Sequence, residues 1–174
     1  MAQWAFMAAM FTGTIRPMTS DDYPEVARIH QAGLDTGNGA YESAPVTWEE
    51  FTDKKIRELC FVAEADGRIL GWVSLMPFYH RPSLGGFLED SIYIDPDAAG
   101  RGVGTALLAH CTAKAKEWGA WTITAWIYDE NSASQALHAK AGFRKVGTLH
   151  RHGWMEHGPW ADQYRRCTIY EKLL

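Results

Sequence analysis

The sequence predicts a single mixed α/β domain of the α+β kind, and three observations carry this prediction. The chain has 174 residues, a length that fits one domain with a sizeable core. Hydrophobic residues make up 47% and charged residues 22%, as in ordinary globular proteins, which argues against disorder. Runs with strand-like alternation are interleaved with runs of helical periodicity, and no repeat or linker divides them. We therefore expect one domain over residues 12–174, preceded by an N-terminal extension at residues 1–11.

The first half of the chain predicts a strand, two helices and a hairpin. Thr19–Asp22 offers a cap and early acidic charge for the first helix. Residues 35–46 are rich in Gly, Asn, Ser and Pro, which is typical of a loop. Asp66-Gly67 is a strong signal for a tight turn between two strands. The predicted elements are a strand at 14–17, a helix starting near residue 19, a helix at 47–59, and strands at 61–65 and 69–78.

The second half predicts four strands and two helices. Asp95-Pro96 stops the first of these strands, and a glycine-rich turn leads into a helix that Gly119 ends. Residues 121–128 form the cleanest alternating run in the chain. The predicted elements are a strand at 87–94, a helix from 100–104 to 118, a strand at 121–128, a helix from 131 or 132 to 141, and strands at 143–149 and 168–173.

The glycine-rich turn, Gly100-Arg101-Gly102-Val103-Gly104, predicts a phosphate site. Glycines at a helix start let the backbone approach a ligand and leave N–H groups unpaired, and the helix dipole adds partial positive charge. Arg101 adds a cation for a charge-assisted contact. A P-loop would end in Gly-Lys-Ser/Thr, which is absent. The turn therefore indicates a pyrophosphate site of another kind, with a purely structural turn as the alternative.

The residues around this turn resemble a known family. Ile92-Tyr93-Ile94-Asp95-Pro96, followed by the glycine-rich turn, resembles the acyl-CoA-binding motif of the GNAT superfamily, which reads Arg/Gln-x-x-Gly-x-Gly/Ala after a bulged strand. Asn131–Ser134 and Ala141-Gly142-Phe143 resemble its second conserved block. The resemblance covers roughly residues 14–173, and it departs from the family at Ala99, where Arg or Gln is usual.

This resemblance implies the GNAT fold and acetyl-CoA as the cofactor. The fold is a central, mixed but mostly antiparallel, twisted sheet with helices on both faces and a V-shaped splay between the strands at 87–94 and 121–128. Backbone groups around Ile92–Ile94 would hold the pantetheine arm and polarise the thioester carbonyl. Asn131 has a helix cap as its alternative role, and the two roles can coexist. The residues implied to bind the cofactor are Ile92, Tyr93, Ile94, Ala99, Gly100, Arg101, Gly102, Val103, Gly104, Thr105, Asn131 and Ser134.

Glu89 is the predicted general base. Acetyl transfer needs a neutral amine, because an ammonium has no lone pair, so a group must remove a proton directly or through a water. Glu89 lies in the strand that the family uses for the cofactor, at a position where a glutamate often serves as base. The alternatives are a solvent-facing Glu89, a pairing of Glu89 with an Arg, and the neighbouring Asp90 as the base.

His138 is the predicted general acid, which would return a proton to the leaving thiolate. Many GNAT enzymes have a Tyr in the helix after the asparagine, and His138 occupies the matching position. A histidine can deliver a proton near neutral pH. The alternatives are that His138 packs within its helix, or that a nearby Tyr is the donor.

A narrower resemblance concerns the acceptor. Three separated runs, Leu70–Ser74 with Phe78 and Arg81-Pro82, Leu88–Ile94, and His157-Gly158-Pro159-Trp160-Ala161-Asp162, resemble the phosphinothricin acetyltransferase branch. That branch acetylates small amino acids or analogues such as phosphinothricin, methionine sulfone and methionine sulfoximine, and it is typically dimeric. The resemblance implies Phe78, Arg81 and Glu89 as substrate-binding residues, with Arg81 contacting the carboxylate. The chain departs from the branch at Leu84 and Gly85.

Composition excludes several other classes of function. The net charge of −4 argues against nucleic acid or an anionic membrane as the main partner. Three separated cysteines indicate buried thiols in the cytoplasm, and His150, His152 and His157 have no ligand set that would complete a metal site. Two alternatives remain: a non-catalytic GNAT-fold sensor that binds acyl-CoA, and an enzyme that acetylates a protein N-terminus or lysine.

Overall fold

The computed structural model describes residues 11–78 and 81–174. The predicted N-terminal extension lies outside the described residues except for Phe11, which packs against the hydrophobic core. In chain order the helices and strands are β1 (Thr14–Pro17), α1 (Tyr23–Asp35), α2 (Trp48–Lys54), β2 (Cys60–Ala65), β3 (Arg68–Pro77), β4 (Phe87–Ile94), α3 (Val103–Trp118), β5 (Thr122–Tyr128), α4 (Ser132–Lys140), β6 (Arg144–Met155) and β7 (Gln163–Leu173).

The strands form one seven-stranded sheet in the order β1-β2-β3-β4-β5-β7-β6. Every neighbouring pair is antiparallel except β4 and β5, which are parallel. The side chains of α1 and α2 pack with Trp72 on one face of the sheet, and those of α3 pack with Leu75 and Leu88 on the other. The predicted fold, a mixed and mostly antiparallel sheet with helices on both faces, is confirmed.

The sheet opens between its two parallel strands. Only Phe87–Glu89 of β4 pairs with Thr122–Thr124 of β5, and beyond these residues the two strands have no pairing. The hydroxyl of Thr124 donates to the carbonyl of Leu88 at 3.1 Å, which adds a side-chain bond at the end of the paired region. The V-shaped splay predicted between these strands is therefore present, with its apex at Glu89.

The predicted turn between β2 and β3 is also confirmed. Asp66 and Gly67 have φ angles of 52° and 71°, so both central residues of the turn are left-handed. This is the backbone of the two-residue hairpin turn that Asp-Gly favours, because it matches the right-handed twist of the flanking strands.

The second helix is shorter than predicted, and the last two strands are longer. Helix α2 ends at Lys54, because Lys55 is extended (φ −106°, ψ 154°) and the amide of Ile56 donates to the carbonyl of Leu75 at 2.9 Å. The chain is therefore hydrogen-bonded to β3 at Ile56, where the periodicity of the sequence predicted that the helix would continue. Strands β6 and β7 extend to Met155 and from Gln163, through residues whose polar pattern lacks strand alternation. Among the described residues, no helix has the length and apolar character needed to cross a bilayer.

Candidate active site

A cavity of about 1390 Å³ follows the opening between β4 and β5. At its α3 end it is lined by the first turns of α3 and by α4, and at its α1 end by α1, by the loop at residues 36–46 and by side chains of β4. Every predicted site residue lines this cavity except Arg81 and Arg101. Most of the predicted site residues therefore share one cavity, and the roles of these residues depend on what each one contacts.

The turn before α3 is held in place by Asp95, which is 2% exposed. Its carboxylate accepts hydrogen bonds from the Arg28 guanidinium of α1 and, at 2.9 Å, from the amide of Asp97. Burial by itself would raise the pKa of Asp95, but these hydrogen bonds outweigh burial and lower the pKa overall. A charge-assisted hydrogen bond thus fixes the turn to the helix on the opposite face of the sheet.

The glycines of this turn leave a set of free amides. Gly100 and Gly102 have φ angles of 74° and 79°, a left-handed region that other residues enter at a cost. Among the described residues, no group accepts a hydrogen bond from the amides of residues 102–105. Four unpaired donors at the positive end of a helix dipole fit a pyrophosphate.

The backbone amides of two residues of the turn are already hydrogen-bonded within it. The amides of Ala99 and Arg101 donate within the turn, each at 3.3 Å, to the carbonyls of Pro96 and Ala98. Neither amide is therefore free for a phosphate. The Arg101 side chain is exposed and does not line the cavity, and its contact with the cofactor stays a prediction.

Strand β4 turns half of its backbone groups toward the opening. The amide of Asp95 donates to the carbonyl of Leu70 at 2.9 Å, so the backbone of Asp95 bonds to β3. Counting back from Asp95 along the β3–β4 register then shows which residues of β4 bond to β3 and which face the other way. In an antiparallel ladder successive residues bond to opposite sides. The N–H and C=O groups of Ile92 and Ile94 therefore point toward β5, which no longer pairs with β4 at this level. Tyr93 directs its backbone to β3 instead.

Glu89 lies at the apex of the opening, in the last residue pair that joins β4 to β5. Burial raises its pKa to about 7, the Lys55 cation opposes this shift, and the negative charges of Asp90 and Glu42 add to it. Among the described residues, no Arg or Lys forms a salt bridge with Glu89. A carboxyl group in the cavity that titrates near neutrality suits a general base.

Asp90 and His138 form a buried pair on the α3 side of β4. The Nε2 atom of His138 lies 3.0 Å from Oδ2 of Asp90, and the two side chains are 1% and 4% exposed. Nδ1 of His138 lies 2.8 Å from the carbonyl oxygen of Ser134, which can only accept a hydrogen bond. Burial lowers the pKa of His138, but Asp90 and the Ser134 carbonyl outweigh burial and raise it overall. Asp90, the alternative base, is thus occupied by His138.

Asn131 caps α4 and also fixes the loop at residues 36–46. Its Oδ1 accepts the amide of Ser134 at 3.1 Å, as a helix cap does, and its Nδ2 donates to the carbonyl of Asn38 at 3.1 Å. The hydroxyl of Tyr93 donates to the carbonyl of Gly39, also at 3.1 Å. The loop is therefore bonded to two elements that line the cavity.

Arg165 is an anchor of the same loop that the sequence did not indicate. Its side chain is 1% exposed and lies between the rings of Tyr128 and Trp160, at 4.1 and 4.4 Å from their centroids. Its guanidinium donates to the carbonyl of Gly37 and, at 2.9 Å, to the side chain of Asn38. An arginine in a polar stretch gives no sequence signal of burial, because Arg is mostly exposed in proteins.

An aromatic wall lines the α1 end of the cavity, and it includes Phe78. The ring of Phe78 stacks on Trp126 at 5.4 Å, and Trp126 contacts His152 at 5.0 Å. Nδ1 of His152 lies 2.6 Å from the hydroxyl of Tyr41, and burial lowers the pKa of His152. Arg81, in contrast, is exposed and does not line the cavity, so no contact in the structure supports its predicted role.

Lys55 is a cation of the cavity that the sequence analysis missed. The prediction placed it inside a helix, where its side chain would have been one of several on a solvated face. Because α2 ends at Lys54, Lys55 instead extends along the sheet, and its Nζ lies 3.0 Å from the hydroxyl of Ser91.

Trp154, Trp160 and Tyr164, the aromatic residues near the C-terminus, do not line the cavity. Trp154 and Tyr164 are exposed and pack on each other at 5.0 Å, and Trp160 covers Arg165. In residues 11–78 and 81–174 there is no group of three His, Cys, Asp or Glu side chains that could hold a metal ion.

The fold and the site together define a transferase that uses an acyl-CoA. An opened sheet exposes the backbone groups of Ile92 and Ile94 to a ligand, and residues 102–105, which carry the free amides, line the same cavity. These donors fit the two parts of acetyl-CoA, an extended amide-containing arm and a pyrophosphate. Acetyl-CoA supplies an acetyl group activated as a thioester.

Comparison with known proteins identifies the family. The Acetyltransferase (GNAT) family matches residues 23–143. The chain is 35% identical over 161 residues to the phosphinothricin N-acetyltransferase of Alcaligenes faecalis, which covers 86% of this chain and 78% of that protein. It is 25% identical over 157 residues to the L-methionine sulfoximine/L-methionine sulfone acetyltransferase of Pseudomonas aeruginosa PAO1, covering 87% of this chain and 91% of that one.

Solved structures agree with this result. A phosphinothricin acetyltransferase from Sinorhizobium meliloti, in complex with acetyl-CoA, superposes with a TM-score of 0.81 at 26% identity, covering 94% of this chain and 89% of that one. An N-acetyltransferase from Staphylococcus aureus Mu50 has a TM-score of 0.81 at 28% identity, with coverages of 93% and 98%. The chain therefore belongs to the GNAT acetyltransferase family and is an acetyl-CoA-dependent N-acetyltransferase.

The left-handed glycine at the start of α3 leads to a first prediction. Gly102→Ala places a side chain at a φ of 79°, which costs about 1–2 kcal/mol of conformational strain. The backbone can relieve this strain by rotating, and the rotation moves the free amides out of position. We expect the dissociation constant for CoA, measured by isothermal titration calorimetry, to rise about tenfold. Gly147→Ala is the matched control, because Gly147 has an ordinary φ and open space around its Cα. Equal CoA affinity in both variants would contradict the assignment of the phosphate site.

The buried Asp90–His138 pair predicts a pH dependence of stability. Removing only His138 would leave the Asp90 carboxylate buried without its partner, at a cost of about 3–5 kcal/mol. The neutral pair Asp90→Asn/His138→Gln avoids this effect and serves as the reference. The pKa of His138 is raised in the folded protein above its value of 6.5 in the unfolded chain. The contribution of His138 to the free energy of unfolding is therefore fully present below pH 6.5 and is lost as the pH rises through the folded pKa.

We therefore expect the free energy of urea unfolding of the wild type, relative to this double variant, to be largest at pH 6 and to decline toward pH 9. A difference that is constant or grows over this range would show that His138 is not held as an imidazolium.

Proposed function

We propose that this enzyme transfers the acetyl group of acetyl-CoA to the α-amine of a small amino acid or amino-acid analogue, of the phosphinothricin, methionine sulfone or methionine sulfoximine type. The observation that carries the proposal is the position of Glu89. Its carboxyl group faces the α1 end of the cavity at the apex of the opening, where the acyl-CoA and acceptor regions meet. The relatives named for these substrates support the acceptor class.

Glu89 acts as the general base in this proposal. Its carboxylate takes a proton from the acceptor nitrogen, directly or through a water, and a pKa of about 7 leaves it substantially ionised at neutral pH. A sensor that only binds acyl-CoA has no need of such a group, so Glu89 favours the enzyme over that alternative.

His138 acts as the acid that returns a proton to the leaving sulfur. Burial lowers the pKa of His138, but Asp90 and the Ser134 carbonyl raise it overall, which favours the protonated ring. The side chain belongs to α4 and lines the same cavity as Asn131 and Ser134. Both nitrogens of His138 already face an acceptor, so donation requires the ring to exchange its contact with Ser134 or Asp90.

A small acceptor is favoured over a protein substrate because the α1 end of the cavity is covered. The loop at residues 36–46 lies over it and is held by Arg165, Asn131 and Tyr93. The ring of Tyr41 contacts Tyr128 at 5.3 Å and reaches the backbone of β6 at Gly153. A peptide would need an open groove at this place.

We further propose that the enzyme acts in the cytoplasm and as a homodimer. Cys60, Cys111 and Cys167 are buried free thiols, as a reducing compartment permits. Large apolar side chains are exposed on β6 and β7, which supports a contact between two copies; they are Val146, Leu149, Trp154, Tyr164 and Leu173.

The proposed activity is tested by measuring thiol release from acetyl-CoA with a panel of free amines. We expect thiol release with phosphinothricin, methionine sulfone and methionine sulfoximine. We expect none when a peptide is the only acceptor. CoA binding without thiol release for any of these three amines would contradict the proposed acceptor class.

The base assignment predicts that Glu89→Gln lowers turnover by about two to four orders of magnitude, the usual contribution of a positioned general base. The dissociation constant for CoA should stay near that of the wild type, because Glu89 does not contact the phosphate region. In the wild type, the rate should rise with pH across about pH 7 as Glu89 loses its proton. Unchanged turnover in the Gln variant would refute the role of Glu89.

A further inference from the structure

Lys55 is held in the cavity wall by its backbone and by three neighbours. The extended backbone at Lys55 and the bond from Ile56 to Leu75 direct the chain along the sheet. The Nζ atom lies 3.0 Å from the hydroxyl of Ser91, 3.5 Å from the sulfur of Met76 and 5.9 Å from the centre of the Phe51 ring. A hydroxyl, a thioether and an aromatic ring position an ammonium without neutralising it.

The charge of Lys55 is unpaired within the part of the chain that the structure describes. No carboxylate there lies within salt-bridge distance of its Nζ. Burial lowers the pKa of Lys55, while the nearby charges of Glu89 and Asp90 act in the opposite direction. A half-buried cation without a counter-ion is costly unless a ligand supplies the missing charge.

Glu89 lies close to this cation on the same face of the sheet. Glu89 pairs with Met76 across the β3–β4 ladder and is two residues before Ser91, and Lys55 contacts both of these neighbours. Two residues along a strand correspond to roughly 7 Å. The cavity thus has an acidic and a basic group side by side, too far apart for a direct ion pair and close enough for one small molecule to contact both.

We infer that Lys55 binds the carboxylate of the acceptor, so that an α-amino acid lies between Lys55 and Glu89 with its carboxylate on the first and its amine on the second. This inference rests on the proposed function and defines its substrate class more narrowly, as amines that carry an acid group next to the amine. Lys55 supplies the carboxylate contact that the family resemblance implied for Arg81. The Ser91 hydroxyl, which accepts from Lys55, sets the direction of the ammonium.

The test compares two acceptors that differ only in the acid group: L-methionine sulfone and its decarboxylated counterpart, 3-(methylsulfonyl)propan-1-amine. Equilibrium binding of each to the protein–CoA complex is measured by calorimetry, and KM is measured by thiol release. The variants are Lys55→Met, which keeps the apolar stem, and Lys55→Arg, which keeps the charge. Lys116→Met is the control, because Lys116 is exposed on α3 and lies outside the cavity.

We expect Lys55→Met to weaken methionine sulfone binding about 10- to 100-fold, the effect of losing a hydrogen bond to a charged group. Binding of the decarboxylated amine should change by no more than about twofold. Lys55→Arg should restore part of the affinity, and Lys116→Met should match the wild type. CoA affinity should be the same in all four proteins, which shows that each variant is folded.

Equal weakening of both acceptors by Lys55→Met would overturn the inference, because Lys55 would then act through Glu89 or through packing. A wild type that binds the two acceptors equally would overturn it as well. If the wild type binds methionine sulfone but releases no thiol, the proposed acceptor class fails, and the binding measurements still decide the role of Lys55.

Discussion

The structure depends on one constraint: β4 and β5 stop pairing after Glu89 and Thr124, although both strands continue. Backbone groups without partners are costly in a protein interior, so an opening of this kind needs a polar ligand or water to meet them. The backbone groups of Ile92 and Ile94 face the opening, and the residues with free amides at the start of α3 line the same cavity. The acyl-CoA site is therefore a consequence of how the sheet ends its pairing.

The alternation of β4 separates two carboxylates that are neighbours in sequence. Glu89 faces the α1 side of the sheet, where burial raises its pKa to about 7. Asp90 faces the α3 side, where it is hydrogen-bonded to His138 at 3.0 Å. One is left as a proton acceptor in the cavity, and the other is part of a buried ion pair that joins β4 to α4. The same face that presents Glu89 also presents Ser91 to Lys55, so acceptor binding and proton removal depend on a single strand face.

The fold and the acyl-CoA region could be predicted from local patterns. The Asp66-Gly67 turn, the strand ending at Asp95-Pro96 and the glycines before α3 are short-range signals, and each has a physical cause in backbone conformation. The acceptor region could not be predicted in the same way. Lys55 enters the cavity only because tertiary bonding to β3 ends α2 early. Arg165 is buried between the rings of Tyr128 and Trp160, and Tyr128 is far from it in sequence. Arg81 was a plausible cation by sequence, but it lies on an exposed turn.

The most direct test of this site is the hydrogen exchange of individual amides, measured by NMR with and without CoA. We expect CoA to slow exchange at residues 102–105 and at Ile92 and Ile94, because these amides have no partner in the free protein or face the opening. The amides of Ala99 and Arg101, which already donate within the turn, should change little. Slower exchange confined to other parts of the chain, with no change at residues 102–105, Ile92 and Ile94, would contradict the proposed binding of the acyl-CoA in the opening between β4 and β5.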